Sequence, residues 1–586
     1  MGSPVVRGVR ARWLVLGLAA AIVVVLAALA WVGVRALMAK SEIDQVTAHI
    51  DELRQAVGDG DLGTLAKVAD EVAPHVQRAD ALTGDPIWRA TEVVPVLGPN
   101  LAAARVSSSQ LDVLVNDLAL PLMSELPHLG DGKGGIDVAT LQKVAKTLQG
   151  VDAALQAGTR EFAALDLDET IPAVGDGARQ LQKINDQAAT IVHDTAPFAK
   201  IAPGLLGADK KRHILMIVQN NAELRTGGGI NGSLLDLTAD SGRVTLNRVA
   251  SDVTFPPTKT PIADVPESTT TLYGDVVGRY IQNTTSPADF TVTAELVSAW
   301  WHKYAGTKPD LVVSIDAFVL RAIIKATGPI DAGNITLTAD NAVKNILVTP
   351  YLTLDAEQQD AYFTKIAKAV FAKATGAAEN PAAFVTALQT PLAQGRISAW
   401  SRAQDEEAVL GAGMLGGPAA RHRAAGKHAY AVYLSDATGS KMDRFLATTI
   451  TTGSVLCRSD GHQDVTITVT LKNNAPADAA TRYSGWVTGG GVHGTPPGQI
   501  RTIVVVSAPA NGSVAAVTAD GKTIHAPAVV EAGFPTTTAT VLLKPGEAKS
   551  VEFRFIAGAT GDVRPVIVHT PMMQSPEIAR DSPKCQ

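Results

Sequence analysis

Aromatic side chains are scarce in this chain, at 5% of 586 residues, and there are only two cysteines. Two cysteines exclude a disulfide-dense scaffold. No Cys-x-x-Cys pair or His-rich spacing suggests a metal site. An excess of positive charge is also missing: 51 Lys and Arg face 57 Asp and Glu, a net charge of −6. The basic residues are spread thinly and are not interleaved with stacking aromatics, which argues against nucleic acid as a partner. No Gly-Lys-Ser/Thr ending marks a phosphate loop. No nucleophile elbow supports Ser233 with His213 or His302 as nucleophile and base.

What the chain does have is a long run without charge. Residues 13–34 read WLVLGLAAAIVVVLAALAWVGV. A bilayer-crossing helix needs about 20 apolar residues. Arg7, Arg10 and Arg12 precede the run, whereas Arg35 and Lys40 are soon followed by Glu42 and Asp44. This bias places residues 1–12 in the cytoplasm and the bulk of the chain outside it. The rival is a cleaved signal peptide, whose apolar region is about 7–15 residues long and ends at a small-x-small site. Here the run is longer, and Ala28-Leu29-Ala30 lies inside it. An uncleaved single-pass anchor in the cell membrane is the expectation. In an oxidising milieu Cys457 and Cys585 suggest one disulfide, worth about 4–5 kcal/mol in the loop-entropy model. Two unrelated buried thiols are the alternative.

Downstream, the texture of the sequence divides it. Residues 41–205 carry apolar residues at helical spacing, as in Ile43, Val46, Ile50, Leu53 and Val57, then Leu62, Leu65, Val68 and Val72 up to Pro74. This predicts a helical stalk or platform. Residues 206–416 mix strands (213–218, 232–238, 242–249, 311–315) with helices (288–304, 317–327, 339–348, 355–375, 381–389), an α/β head. Residues 417–427 read as a linker. From 428 to 586, short strands at 429–434, 465–471, 500–506, 538–543 and 551–556 predict a β-sandwich. The fold class is multidomain α+β.

The densest polar motif is Gln219-Asn220-Asn221-Ala222-Glu223-Leu224-Arg225, followed by Thr226-Gly227-Gly228-Gly229. Glycines expose backbone N–H groups that can form an anion nest, and Arg225 could grip a phosphate or carboxylate. Equally, the segment could be a tight turn with Arg225 paired to Glu223. Asp252, Asp264, Asp275 and Asp316 are acids that could serve acid/base work or hold Mg²⁺, or stand as solvated loop residues. Trp300 and Trp301 read as core. In Ser435–Asp443, Asp436, Lys441 and Asp443 could pair and lock the head to the sandwich.

With Asp85-Pro86-Ile87-Trp88, Val94–Asn100 and Ser435–Asp443, this motif resembles the actinobacterial, membrane-anchored domain-of-unknown-function family 4012. That resemblance implies an envelope protein associated with surface polysaccharide. Residues 212–375 are also similar to the LytR–CpsA–Psr domain, whose members move glycopolymers from polyprenyl-pyrophosphate carriers to cell-wall glycan. Arg225, the glycine loop, Ser251-Asp252, Asp316 and Leu337–Val343 fall in similar places. The pyrophosphate-gripping arginines of that family are absent from Asn345–Pro350, and Ser251 stands where one of them would be. Losing them removes charge stabilisation on which such transfer relies.

The resemblance implies an extracytoplasmic protein that binds a polyprenyl-phosphate-linked glycan or cell-wall glycopolymer. The ligand residues expected are Asn220, Asn221, Glu223, Arg225, Gly227, Gly228, Gly229 and Asp252. The alternatives are a non-enzymatic scaffold for envelope protein partners and an active glycopolymer phosphotransferase, for which Mg²⁺ would be the cofactor.

Overall fold

A computed structural model describes residues 5–49, 51–52, 55–56, 61–333, 335–375 and 381–582. They form two compact units, one within residues 1–129 and 137–203, the other within 130–136 and 204–586. Cys585 and its predicted pairing with Cys457 lie outside the described residues.

The first unit is helical. Helix α1 (Val5–Thr47) carries the apolar run and extends beyond it on both sides. Its stretch from Val23 is long and apolar enough to cross a membrane. Helix α2 (Leu62–Thr83) starts at Asp61, whose carboxylate accepts from the Gly63 and Thr64 N–H groups. Although Pro74 removes one helical hydrogen bond, the helix does not stop there as the sequence suggested. Val72, Val76 and Ala79 on either side are all buried and hold it. Helix α3 (Pro86–Thr91) is capped by Asp85. Helix α4 (Leu97–Asp112) passes through a π-helical segment, Val113–Ala119, into a last turn at Leu120–Glu125. Helices Val138–Ala163 and Pro172–Leu205 complete the set.

In the second unit, strands β1 (Arg212–Asn220), β2 (Ile230–Asp240), β3 (Arg243–Ser251), β4 (Leu311–Asp316) and β5 (Ser398–Ser401) make one mixed sheet, ordered β3-β2-β1-β4-β5. Strand β1 is antiparallel to β2 and parallel to β4. Trp300 and Trp301, on helix Phe290–Ala305, pack with Leu215, Ile217 and Val312. Ile214, Leu235 and Leu311 pack with Ala367 and Phe371 of helix Ala356–Thr375. Burial among two separate clusters explains why the centre of β1 reads as an unbroken apolar run.

The C-terminal residues form a six-stranded and a five-stranded sheet that share one core. Strand β6 (Ala429–Asp436) lies within the five-stranded sheet and is buried along its whole length. Tyr430, Val432 and Leu434 join the core shared with the other sheet. Ala431 and Tyr433 pack on Leu272, Tyr273, Val277 and Leu296 of the head. The predicted linker at 417–427 is instead a helix, Gly417–Ala424, with Gly417, Pro418, Ala419, Ala420 and His422 buried. Head and C-terminal sheets are therefore one packed body. Strands Leu446–Val455, Ser513–Ala519, Ala528–Glu531 and Val566–His569 went unread in the sequence.

Candidate functional site

The segment that leaves β1 joins the head to the C-terminal sheets. The Leu224 N–H donates to Asp443 Oδ2 at 2.7 Å, and the Leu224 carbonyl accepts from the Asp436 N–H at 2.8 Å. Asn221 Nδ2 donates to Asp316 Oδ2 and to the Pro571 carbonyl. Asn220 Nδ2 donates to the Tyr351 hydroxyl at 2.6 Å. Both asparagines are buried and so work as fasteners beneath the surface.

The three glycines present no anion nest. Gly227 N–H donates to Thr285 O, Gly228 N–H to Arg225 O and Gly229 N–H to Gln219 Oε1. Close approach explains the glycine at 229: a Cβ there would stand 2.1 Å from the Asn220 carbonyl oxygen. Gly229→Ala should therefore destabilise the second unit by about 1–3 kcal/mol, the usual range for overpacking. A fall in its thermal midpoint checks this.

Arg225 is turned inward. Nε and NH2 donate to Asn283 Oδ1, NH1 to the Leu224 carbonyl, and NH2 also to Glu223 Oε1 at 3.3 Å. Of the two readings of the motif, the local Glu223–Arg225 pair is the one present. The other Glu223 oxygen accepts from Lys441 Nζ at 2.5 Å. Burial pushes the Glu223 carboxyl up, but Lys441 and Arg225 outweigh it and leave its pKa below the ordinary value. Burial, with Asp436 and Glu223 nearby, pushes Asp443 well above the carboxylate range.

Above this buried network opens a cleft of about 1000 Å³. Glu223, Arg225, Asp252 and Lys441 line it. Asp252 is half-buried and accepts from Gln282 Nε2 at 3.0 Å. Burial raises its pKa in spite of the Lys441 charge. Arg501 also lines the cleft, with its fork on the Ala437 and His493 carbonyls. Among the described residues it forms no ion pair with a carboxylate. Trp486 lies at the mouth, 58% exposed.

Of the eight predicted ligand residues, the cleft collects Glu223, Arg225 and Asp252. Of the lock predicted for Ser435–Asp443, Lys441 meets Glu223 and Asp443 meets the Leu224 N–H, whereas Asp436 reaches Leu224 only through its backbone N–H and its carboxylate accepts from the Thr438, Gly439 and Ser440 N–H groups. The other acids are dispersed. Asp316 is buried on Arg396, Asp275 pairs with Arg279, and Asp264 is exposed. Among the described residues, no three His, Cys, Asp or Glu side chains are placed to hold a metal. Ser233 pairs with Val218 and His213 with Thr238, five residues apart on β1, or about 17 Å at strand spacing. They make no nucleophile–base pair. Sequence reading missed Gln282, Trp486 and Arg501. Trp486 had a signal, a lone indole in the glycine-rich stretch Gly485–Gly494.

Residues 209–351 match a family described as protein of unknown function (DUF4012). The matched segment holds Glu223, Arg225, Asp252 and Tyr351, while Lys441, Trp486 and Arg501 lie outside it. No curated protein matches the chain.

Proposed function

We propose that the chain is a single-pass, extracytoplasmic envelope protein that binds a polyprenyl-linked glycan or related surface glycopolymer in this cleft. In this reading the head is a divergent LytR–CpsA–Psr-like domain and the C-terminal sheets are a β-sandwich. One observation carries the proposal: an exposed indole, Trp486, borders a cleft that also presents the Asp252 carboxylate and the Gln282 amide. A sugar ring has an apolar face and a rim of hydroxyls. An aromatic ring suits the first, and carboxylate and amide groups suit the second. Arg501 is the cation best placed for the phosphate linkage, because among the described residues it has no carboxylate partner.

Binding is favoured over transfer. A pyrophosphate leaving group needs charge to neutralise it, and both Arg225 and Lys441 are already engaged by Glu223. The scaffold reading draws on a different observation. The conspicuous 219–229 motif fastens two parts of one body and leaves few groups for a ligand.

Titration of the full chain in nanodiscs with a polyprenyl-phosphate-linked sugar separates the two. Trp486→Ala should weaken binding about tenfold, equivalent to about 1.4 kcal/mol. No binding by the wild type would favour the scaffold, and equal binding by both proteins would mean that the sugar does not rest on Trp486.

A further inference from the structure

Within the first unit, α1 fixes a height scale. Val32 and Ala36 pack with Trp88, Leu97 and Leu101, and Trp31 Nε1 donates to Asp85 Oδ1 at 3.3 Å. Arg35 pairs with Asp85 and donates to the Ala81 and Leu82 carbonyls. Farther along α1, Val46 shares a cluster with Val68, Val72, Leu111 and Val115. Helix α4 therefore runs in the same direction as α1, with its first residue level with the end of the apolar run. Glu92 packs beside Gly98 and pairs with Arg105, and the loop that follows it, Val93–Val96, then turns to the bilayer side of Leu97.

That loop exposes what water disfavours. Val93 is 84% exposed and Val96 80%, with Ile87 on the neighbouring α3 also exposed. Val96 is held at φ 67°, a strained setting for a β-branched residue. The Leu97 and Gly98 N–H groups fold the turn back onto the Pro95 and Val94 carbonyls, and Asn100 Nδ2 caps the Val96 carbonyl. A waterline follows on the other side. Leu165 and Leu167, which flank Asp166, cluster with Ala103 and Val106, past the first turn of α4.

We infer that Ile87, Val93 and Val96 form a second membrane contact, dipping into the headgroup–acyl boundary of the leaflet that α1 leaves. The occupant is lipid, because the patch continues the exposed apolar surface of α1 at Val23–Leu26, Trp31 and Val34. Trp31 and Arg35 at this height suit the interfacial belt. The contact would hold the helical unit at a fixed angle to the bilayer rather than on a swivel. This inference rests on α1 spanning the membrane and is independent of the glycan cleft.

The test uses the full chain in nanodiscs of phosphatidylglycerol and phosphatidylethanolamine. An environment-sensitive fluorophore is attached at Val93→Cys, Val96→Cys, Val24→Cys or the exposed control Ile191→Cys, with the wild type reporting any label on native cysteines. Lipids carrying a nitroxide either high on the acyl chain, to reach 93 and 96, or near its end, to reach 24, act as quenchers. Positions 93, 96 and 24 should shift to the blue and lose most of their emission, while 191 stays water-like. Quenching at 24 with neither 93 nor 96 quenched overturns the inference and leaves the span intact. No quenching at 24 overturns both.

Discussion

Glu223→Gln is expected to cost the second unit about 3–5 kcal/mol, the range for breaking a buried ion pair from one side. The amide has nearly the same shape, so packing changes little. What changes is that Lys441 and Arg225 lose the one carboxylate that pairs with both. The double variant Glu223→Gln/Lys441→Met should lose less than the sum of the two single changes, by about 0.5–3 kcal/mol, in a denaturation cycle. The pH dependence has a defined sign. Glu223 has a depressed pKa in the folded state, so its contribution is complete above the ordinary value of 4.5 and is lost as pH falls through the depressed one. Glu223→Gln should flatten that acid limb. Asp443 acts oppositely: its raised pKa favours the protonated folded state, and that advantage is lost as pH rises from the ordinary 3.8 through the raised value.

A loss of similar size is expected for Arg396→Met. Arg396 and Asp316 have side chains 4% and 3% exposed and meet at 2.6 Å. The guanidinium also donates to the Met572 carbonyl and lies over the Phe318 ring. Methionine keeps much of the volume but leaves the Asp316 carboxylate buried without its cation, at about 3–5 kcal/mol. Asp316→Asn is the informative companion. Asparagine caps a helix about as well as aspartate, so the helix Ala317–Thr327 should persist while the ion pair is lost. If circular dichroism shows unchanged helix while the unfolding midpoint falls, the stability resides in the pair. Asp316 looked like a candidate site acid in the sequence, and its neighbours make it a structural one.

The contrast between Asp316 and Glu223 shows how far the sequence was legible. Helix Ala317–Thr327 was read at its true bounds, because its signals are local: a capping aspartate before it and Gly328-Pro329 after it. Strands β1 to β4 of the head were found from local signals too, whereas β5, only four residues long, was not. The helix Gly417–Ala424 was misread as a linker, because glycine, proline and alanine carry no stripe. Its burial comes from Phe290 and from the residues around Tyr433. The cleft was harder still. Glu223 meets Lys441 across 218 positions, a juxtaposition set by the packing of β6 against the head. Glycine at 229 is demanded by the Asn220 backbone, a cause that looks the same in sequence as a ligand nest.

The proposal that the cleft binds a glycan is tested most directly by native mass spectrometry of the full chain. Wild type and Trp486→Ala would be extracted from their own host membrane into nanodiscs. The account predicts that the wild type carries a bound mass that fragments into sugar and polyprenyl phosphate, and that Trp486→Ala largely loses it. A wild-type spectrum without such a mass, or one that Trp486→Ala retains in full, would contradict it.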